Sequence, residues 1–344
     1  MKCKRAVLTG DRQVQIETVD FPKVNGNPVI QVTHVGICGS DVHYWEEGSR
    51  FVGNISGHEY SGIILDPGKT SYQKGQRVVG YTQNPKNEPC GYCPECLGDD
   101  FDHCSNRTVK IAIGNEIEHP GAFSEYVTWF PSGMWALPDS ITNQEAALIE
   151  PAAVALHAMG LSGIQPGQKV LVLGGGIIGQ CVAEWARMYG AGMVVITETN
   201  AEKREKIRSF GIVDHAMDAC AADLPEQLQA LVPEGFDLFF DCVAYAEPVN
   251  MAIRALRRGG TGVLVGVSFQ PLALDYYNTV VFQKRLQGSK GHVPADFEGV
   301  MAAIMHKKLD LKKYITRTIK LEDLQKVYEH IKASGEDIKV VVEF

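Results

Sequence analysis

Four cysteines within fifteen residues, Cys90-Gly-Tyr-Cys93-Pro-Glu-Cys96 closed by Cys104, constrain this chain more than any other feature. Spaced Cys-x2-Cys-x2-Cys-x7-Cys, they suffice for one tetrahedral all-thiolate zinc site. Such a site has no open coordination position, so its metal would hold a loop, here residues 84–106, and do no chemistry. A chain of 344 residues is also too long for one ordinary core, and two domains are expected.

Composition excludes several classes. Hydrophobic content of 45% and charged content of 22% are those of a soluble globular protein. A net charge of −8 with no basic stripe argues against nucleic acid and against an anionic membrane surface. No run reaches the ~18 apolar residues of a membrane helix. The apolar stretch after Met1-Lys-Cys-Lys-Arg is too short for a signal peptide. Cys181 and Cys242, in apolar surroundings, read as small buried hydrophobes; Cys3 and Cys220 are left over. The expectation is a reducing compartment and a cytoplasmic protein.

The first half is β-rich, with short apolar runs such as Val29-Ile-Gln-Val-Thr and Arg77-Val-Val-Gly-Tyr between Gly, Pro, Asn and Asp. A helix pattern starts near Thr142, and Pro151 either limits it or starts another. From Lys169 the texture changes to alternating strands and helices: Lys169–Leu173, Met193–Thr197, Ile212-Val213, Phe236–Phe240 and Thr261–Val265 as strands, with helices between them. That rhythm predicts a doubly wound parallel sheet. Beyond Gln287 it stops, and helices Phe297–Lys307 and Glu322–Ser334 and strand Lys339–Phe344 look like a return to the first domain. The expected division is 1–153, 154–287 and 288–344.

Gly174-Gly-Gly176-Ile177-Ile178-Gly179 fits G-x-G-x-x-G, after an apolar strand and at the start of an amphipathic helix. Gly174 permits the tight turn, Gly176 lets a pyrophosphate approach, and Gly179 allows close helix–strand packing. The helix beginning at Ile177-Ile178 offers free N–H groups to phosphates. Nineteen residues after Gly179, Glu198 ends the next strand, where a carboxylate accepts bonds from ribose hydroxyls and repels a 2′-phosphate. That favours NAD, although Lys203, grouped with Glu198 in the cofactor site, and Arg204 bring positive charge close by.

Cys38, His58 and Glu150 are the ligand types of an open zinc site. Their charges of −1, 0 and −1 cancel a dication, leaving a fourth position for an alcohol oxygen whose pKa the metal lowers. The resulting alkoxide can expel its α-hydrogen as hydride toward a nicotinamide. Singly, each residue is weak: a lone cysteine or histidine is more often core. Glu150, inside Ala146-Ala-Leu-Ile-Glu-Pro-Ala-Ala-Val, is more telling, because a carboxylate there needs a partner. Ser40 can take the alcohol proton and pass it through the cofactor ribose to His43, and Asp41 can orient His58; for Ser40 and Asp41 a helix-capping role fits equally.

At Val35-Gly-Ile-Cys-Gly-Ser-Asp-Val-His-Tyr-Trp45, Gly57-His-Glu59 and Ala147-Leu-Ile-Glu-Pro151 the chain resembles the zinc-dependent medium-chain alcohol dehydrogenases, over essentially its whole length. It is most similar to the polyol and sugar-acid branch of sorbitol, xylitol, threonine, galactitol and L-galactonate-type dehydrogenases. The resemblance implies a β-rich GroES-like catalytic domain beside a Rossmann coenzyme domain. It implies two zinc ions per subunit: a structural one on Cys90, Cys93, Cys96 and Cys104, and a catalytic one on Cys38 and His58, with Glu59 and Glu150 acting directly or through water. It further implies a homo-oligomer, tetramer favoured over dimer.

Two departures stand out. Where sorbitol dehydrogenases carry an Arg-Tyr pair, this chain reads Gly288-Ser-Lys-Gly-His292, which points Lys290 or His292 at a substrate carboxylate or hydroxyl; an exposed loop is the alternative. Gln76 replaces the family's usual Asp, with no function attached. Tyr44 and Phe123 are expected to line the substrate pocket. The sequence therefore reads as a zinc- and NAD-dependent dehydrogenase of a small secondary alcohol. An NADPH-dependent aldehyde or ketone reductase is the near alternative, and a zinc-knuckle binding protein the remote one.

Overall fold

The computed structural model describes residues 1–21, 26–80, 93–97, 105, 121–129, 133–268 and 270–344. The chain forms two compact units. One comprises Met1–Glu150, Met301–Gly335 and Lys339–Phe344; the other comprises Pro151–Val300 and Glu336–Ile338.

The first unit opens with an antiparallel hairpin, β1 (Lys2–Gly10) and β2 (Gln13–Asp20). There follow β3 (Val29–Gly36), α1 (Gly39–Glu46), β4 (Glu59–Asp66), β5 (Arg77–Gly80), the short α2 (Pro94–Leu97), β6 (Tyr126–Thr128) and β7 (Met134–Ala136). Thr142 caps α3 (Asn143–Ala146) by accepting the Glu145 N–H at 3.2 Å. Pro151 starts a helix rather than ending one. It lies in the first turn of α4 (Ile149–Ser162), where its missing N–H costs nothing.

In the second unit, strands and helices alternate: β8 (Lys169–Leu173), α5 (Ile177–Met188), β9 (Met193–Glu198), α6 (Ala201–Ser209), β10 (His215–Asp218), α7 (Leu224–Leu231), β11 (Phe236–Asp241), α8 (Ala246–Ala255), β12 (Leu256–Leu264), α9 (Tyr276–Val281) and β13 (Arg285–Gly288). The sheet is parallel, in the order β10-β9-β8-β11-β12-β13. Its order reverses between β8 and β11, the switch point outside which doubly wound sheets bind ligands. The strand expected at Ile212-Val213 lies instead at His215–Asp218, fixed by the pairing of Ala216 with Ile196.

The return to the first unit comes at Met301 rather than 288, within α10 (Pro294–Met305). Residues 288–300 stay with the second unit because β13 completes its sheet and the Ser289 N–H donates to the Leu264 carbonyl at 2.9 Å. The chain then adds β14 (Ile315–Ile319), α11 (Leu324–Ser334) and β15 (Lys339–Glu343). β15 inserts between β14 and β3 in the sheet β14-β15-β3-β4-β5-β7, with β6 also on β3. Ile30, Val32, Tyr60, Ile64, Val340 and Val342 form the core of this unit. Among the described residues no helix is long and apolar enough to cross a membrane.

Candidate metal and dinucleotide sites

The first site forms where β3 and β4 end side by side, since Gly36 pairs with Glu59 across the ladder. The chain turns from β3 into α1 at Cys38 and enters β4 through His58. Asp41, fully buried, ties the two turns together. Its Oδ2 accepts the Cys38 N–H at 2.9 Å and its Oδ1 the Gly57 N–H at 3.2 Å. The same Oδ1 stands 3.9 Å from His58 Nδ1, beyond hydrogen-bond reach, so Asp41 positions the histidine through the Gly57 backbone.

Donor atoms of Cys38, His58 and Glu59 lie within 4.8 Å of one another. Glu150 is buried nearby, and its charge is felt at His58 and Glu59, but it is not one of that close set. His58 Nδ1 is buried with no hydrogen-bond partner among the described residues. Burial opposes charging this imidazole, yet the negative charges of Cys38, Asp41 and Glu150 outweigh it and hold the pKa well above the usual histidine value. Surroundings that draw a proton onto a buried ring are surroundings that favour a cation. The donor set of thiolate, imidazole and carboxylate fits zinc.

Tyr44, on α1, packs edge-on against Phe51 at 4.8 Å. Burial first, and then the charges of Asp41 and Cys38, raise the pKa of its hydroxyl. Ser40 is half-buried in the first turn of α1, and His43 is exposed one turn on, 3.8 Å from Glu46. Phe123 is fully buried in the core of this unit. Of the four-cysteine motif, Cys93 is described and buried; Cys90, Cys104 and the Cys96 side chain lie outside the described residues. Cys181 is fully buried and Cys242 partly so.

The second site lies at the carboxyl end of β8. Gly174 has φ +95°, and a Cβ at Gly179 would fall 1.9 Å from the Gly174 carbonyl oxygen, so both need glycine. Gly176 is the N-cap of α5, and the free N–H groups of Ile177 and Ile178 follow it. Glu198 Oε2 accepts the Gly175 N–H at 3.0 Å, and Oε1 accepts from the Asn200 N–H and the Thr199 hydroxyl. Lys203, also buried, sits 3.6 Å from Glu198 Oε2. Arg204 is committed elsewhere: it donates to the carbonyls of Glu198 and Thr199 and to Asp218. Lys290 is exposed just past β13, whereas His292 is 1% exposed with its ring on Phe297.

Known proteins resemble this chain in sequence and fold. A family model described as an alcohol dehydrogenase GroES-like domain matches residues 25–139, and one described as a zinc-binding dehydrogenase matches residues 178–307. D-xylulose reductase A of Aspergillus niger is 30% identical over 98% of this chain and 95% of its own length. L-threonine 3-dehydrogenase of Rhizobium etli is 32% identical, covering 96% and 94%. The chain belongs to the zinc-binding dehydrogenase family. A solved family member, a zinc-binding dehydrogenase of Sinorhizobium meliloti 1021 with NADP bound, superposes with a TM-score of 0.85 at 28% identity and covers 100% of both chains.

One residue of this zinc-binding dehydrogenase went unread in the sequence. Lys339, on β15, is buried and forms an ion pair with Glu59. Its only sequence signal is a lysine opening the apolar run Val340-Val-Val342, where a charge needs a buried partner.

Proposed function

We propose that this oxidoreductase transfers a hydride from a secondary hydroxyl of a polyol, sugar acid or hydroxy amino acid to NAD, giving the ketone. The buried donor set of Cys38, His58 and Glu59 carries the reading. A zinc ion held there supplies the Lewis acidity that eases loss of the hydroxyl proton and release of the hydride. The chain's own residues do the rest. Cys38 and His58 would hold the ion, with Glu59 and Glu150 balancing its charge. Ser40, two residues past Cys38, accepts the hydroxyl proton, and His43, exposed on the same helical face, delivers it to solvent. Tyr44 and Phe123 shape the apolar side of the substrate site.

NAD over NADP is supported by Glu198. Its carboxylate is already anchored by Gly175 and Asn200, and the nearby Arg204 is bound to Asp218 instead of facing a 2′-phosphate. Lys203, 3.6 Å from Glu198 Oε2, offsets part of the carboxylate's charge. A second zinc on Cys90, Cys93, Cys96 and Cys104, a homotetramer and a cytoplasmic setting complete the proposal.

The deciding experiment pairs Cys38→Ser with a substrate screen. NADH formation should appear against one of polyols, aldonates or threonine, and the variant should lose it while still binding NAD in a fluorescence titration. Turnover that survives complete zinc removal defeats the mechanism. NAD and NADP compared at equal concentration separate this reading from an NADPH-dependent reductase. For an acid substrate, Lys290→Ala should raise KM far more than for the matching neutral polyol.

A further inference from the structure

Asp241 is a buried titratable group for which the proposed chemistry has no use. It is 2% exposed, and a carboxyl so placed has given up its water and must be held by partners. Its Oδ1 accepts the Val243 N–H at 3.0 Å and the Ala244 N–H at 2.9 Å. Its carbonyl oxygen accepts the Val265 and Gly266 N–H groups at 2.9 and 2.8 Å. One residue therefore shapes the turn that leaves β11 and fastens it to the end of β12.

The turn is held in a strained shape. Among the described residues four other than glycine have positive φ, and of these only Ala244, at +56°, lies at the carboxyl end of the parallel sheet. A left-handed alanine persists only where its surroundings over-determine it. The turn also fits between two glycines. A Cβ at Gly266 would lie 2.8 Å from the Ala244 nitrogen, and one at Gly174 would lie 2.5 Å from Val243 Cγ1. Gly174 is the first glycine of the phosphate loop and follows β8, whose Leu173 pairs with Asp241. The Val243 side chain thus backs the loop that leads into the free N–H groups of Ile177 and Ile178.

We propose that Asp241 is a positioning residue for the dinucleotide: its carboxylate sets the strained turn at Ala244 so that Val243 braces Gly174 and keeps the phosphate loop in its binding shape before the cofactor arrives. The inference rests on the reading of Gly174–Gly179 as a dinucleotide site. Without the carboxylate, Ala244 relaxes out of the left-handed region and Val243 moves off Gly174. Binding must then also order the loop, which lowers affinity.

NADH binding to the full-length protein, read by the fluorescence of the reduced nicotinamide, tests this without turnover. Asp241→Ala should weaken binding about tenfold through loss of an acceptor of two bonds. Asp241→Asn, which keeps the acceptor, should stay within about twofold of the parent. Ala244→Gly added to Asp241→Ala should bring affinity back to within about threefold, because glycine takes the left-handed conformation unaided. In the protein without NADH, hydrogen exchange at Val243 and Ala244 should quicken in Asp241→Ala while β8 and β11 stay protected. Should Asp241→Ala fail to fold, Val243→Ala gives the binding readout, about threefold weaker than the parent. Parent-like NADH binding in a folded Asp241→Ala or in Val243→Ala would overturn the proposal, as would equal losses from Asp241→Asn and Asp241→Ala. A parent protein that binds neither NADH nor NADPH would instead overturn the dinucleotide reading beneath it.

Discussion

Asp241 ends β11 at the point where the sheet reverses, and two backbone N–H groups, those of Val243 and Ala244, donate to its Oδ1. Burial raises the folded-state pKa of this carboxyl, outweighing those two bonds, which lower it. A carboxyl with a raised folded pKa contributes its full stability below the unfolded pKa and loses it as pH rises through the folded one. Asp241→Asn keeps the acceptor and removes the buried charge. It should therefore unfold at higher denaturant than the parent at pH 7–8, with the gap closing as pH falls toward 4. Gly36 supplies the second prediction at this scale. Gly36→Ala should destabilise the protein by about 2–4 kcal/mol, because the methyl group forces apart a buried ion pair. Differential scanning calorimetry reads this, and Gly39→Ala, where nothing lies within 4 Å of the added carbon, is the control.

At the scale of elements, α8 ends on a lysine from another segment. Lys284 is buried and donates to the carbonyls of Ile253 and Arg254, closing the negative end of the helix. Lys284→Met should cost about 1–2 kcal/mol in chemical denaturation. This cap was not readable in advance, and the reason is general. β8, α5, β9 and α6 were legible because fully buried parallel strands read as unbroken apolar runs, and a glycine loop marks the turn between the first two. β13, Arg285-Leu-Gln-Gly288, was missed because an edge strand buried on little of its surface needs few apolar residues. Motifs local in sequence, such as Cys38 to His43 or Gly57 to Glu59, announced their site by spacing alone. The Lys339 contact with Ile37 spans 302 residues and exists only because β15 lies against β3, a pairing of Val341 with Gly36 that no local pattern encodes.

For the whole molecule, the open edge of the six-stranded sheet bears on assembly. Among the described residues β13 pairs with β12 alone, and α9, which leads into it, exposes Tyr276 at 79%, Tyr277 at 69% and Val280 at 54%. So much apolar surface beside an unpaired edge suits a self-associating chain. Light scattering should give a homo-oligomer for the parent and a smaller species for Tyr277→Glu/Val280→Glu, with the far-ultraviolet circular dichroism unchanged. A parent that is monomeric at micromolar concentration would exclude the tetramer. The place of β15 has a consequence for biosynthesis. Residues 151–300 form a contiguous stretch that can settle as soon as it leaves the ribosome, whereas the first 150 residues must wait for an interior strand still to be translated. During that interval Cys38 and His58 belong to a sheet that still lacks β15 and the lysine it carries.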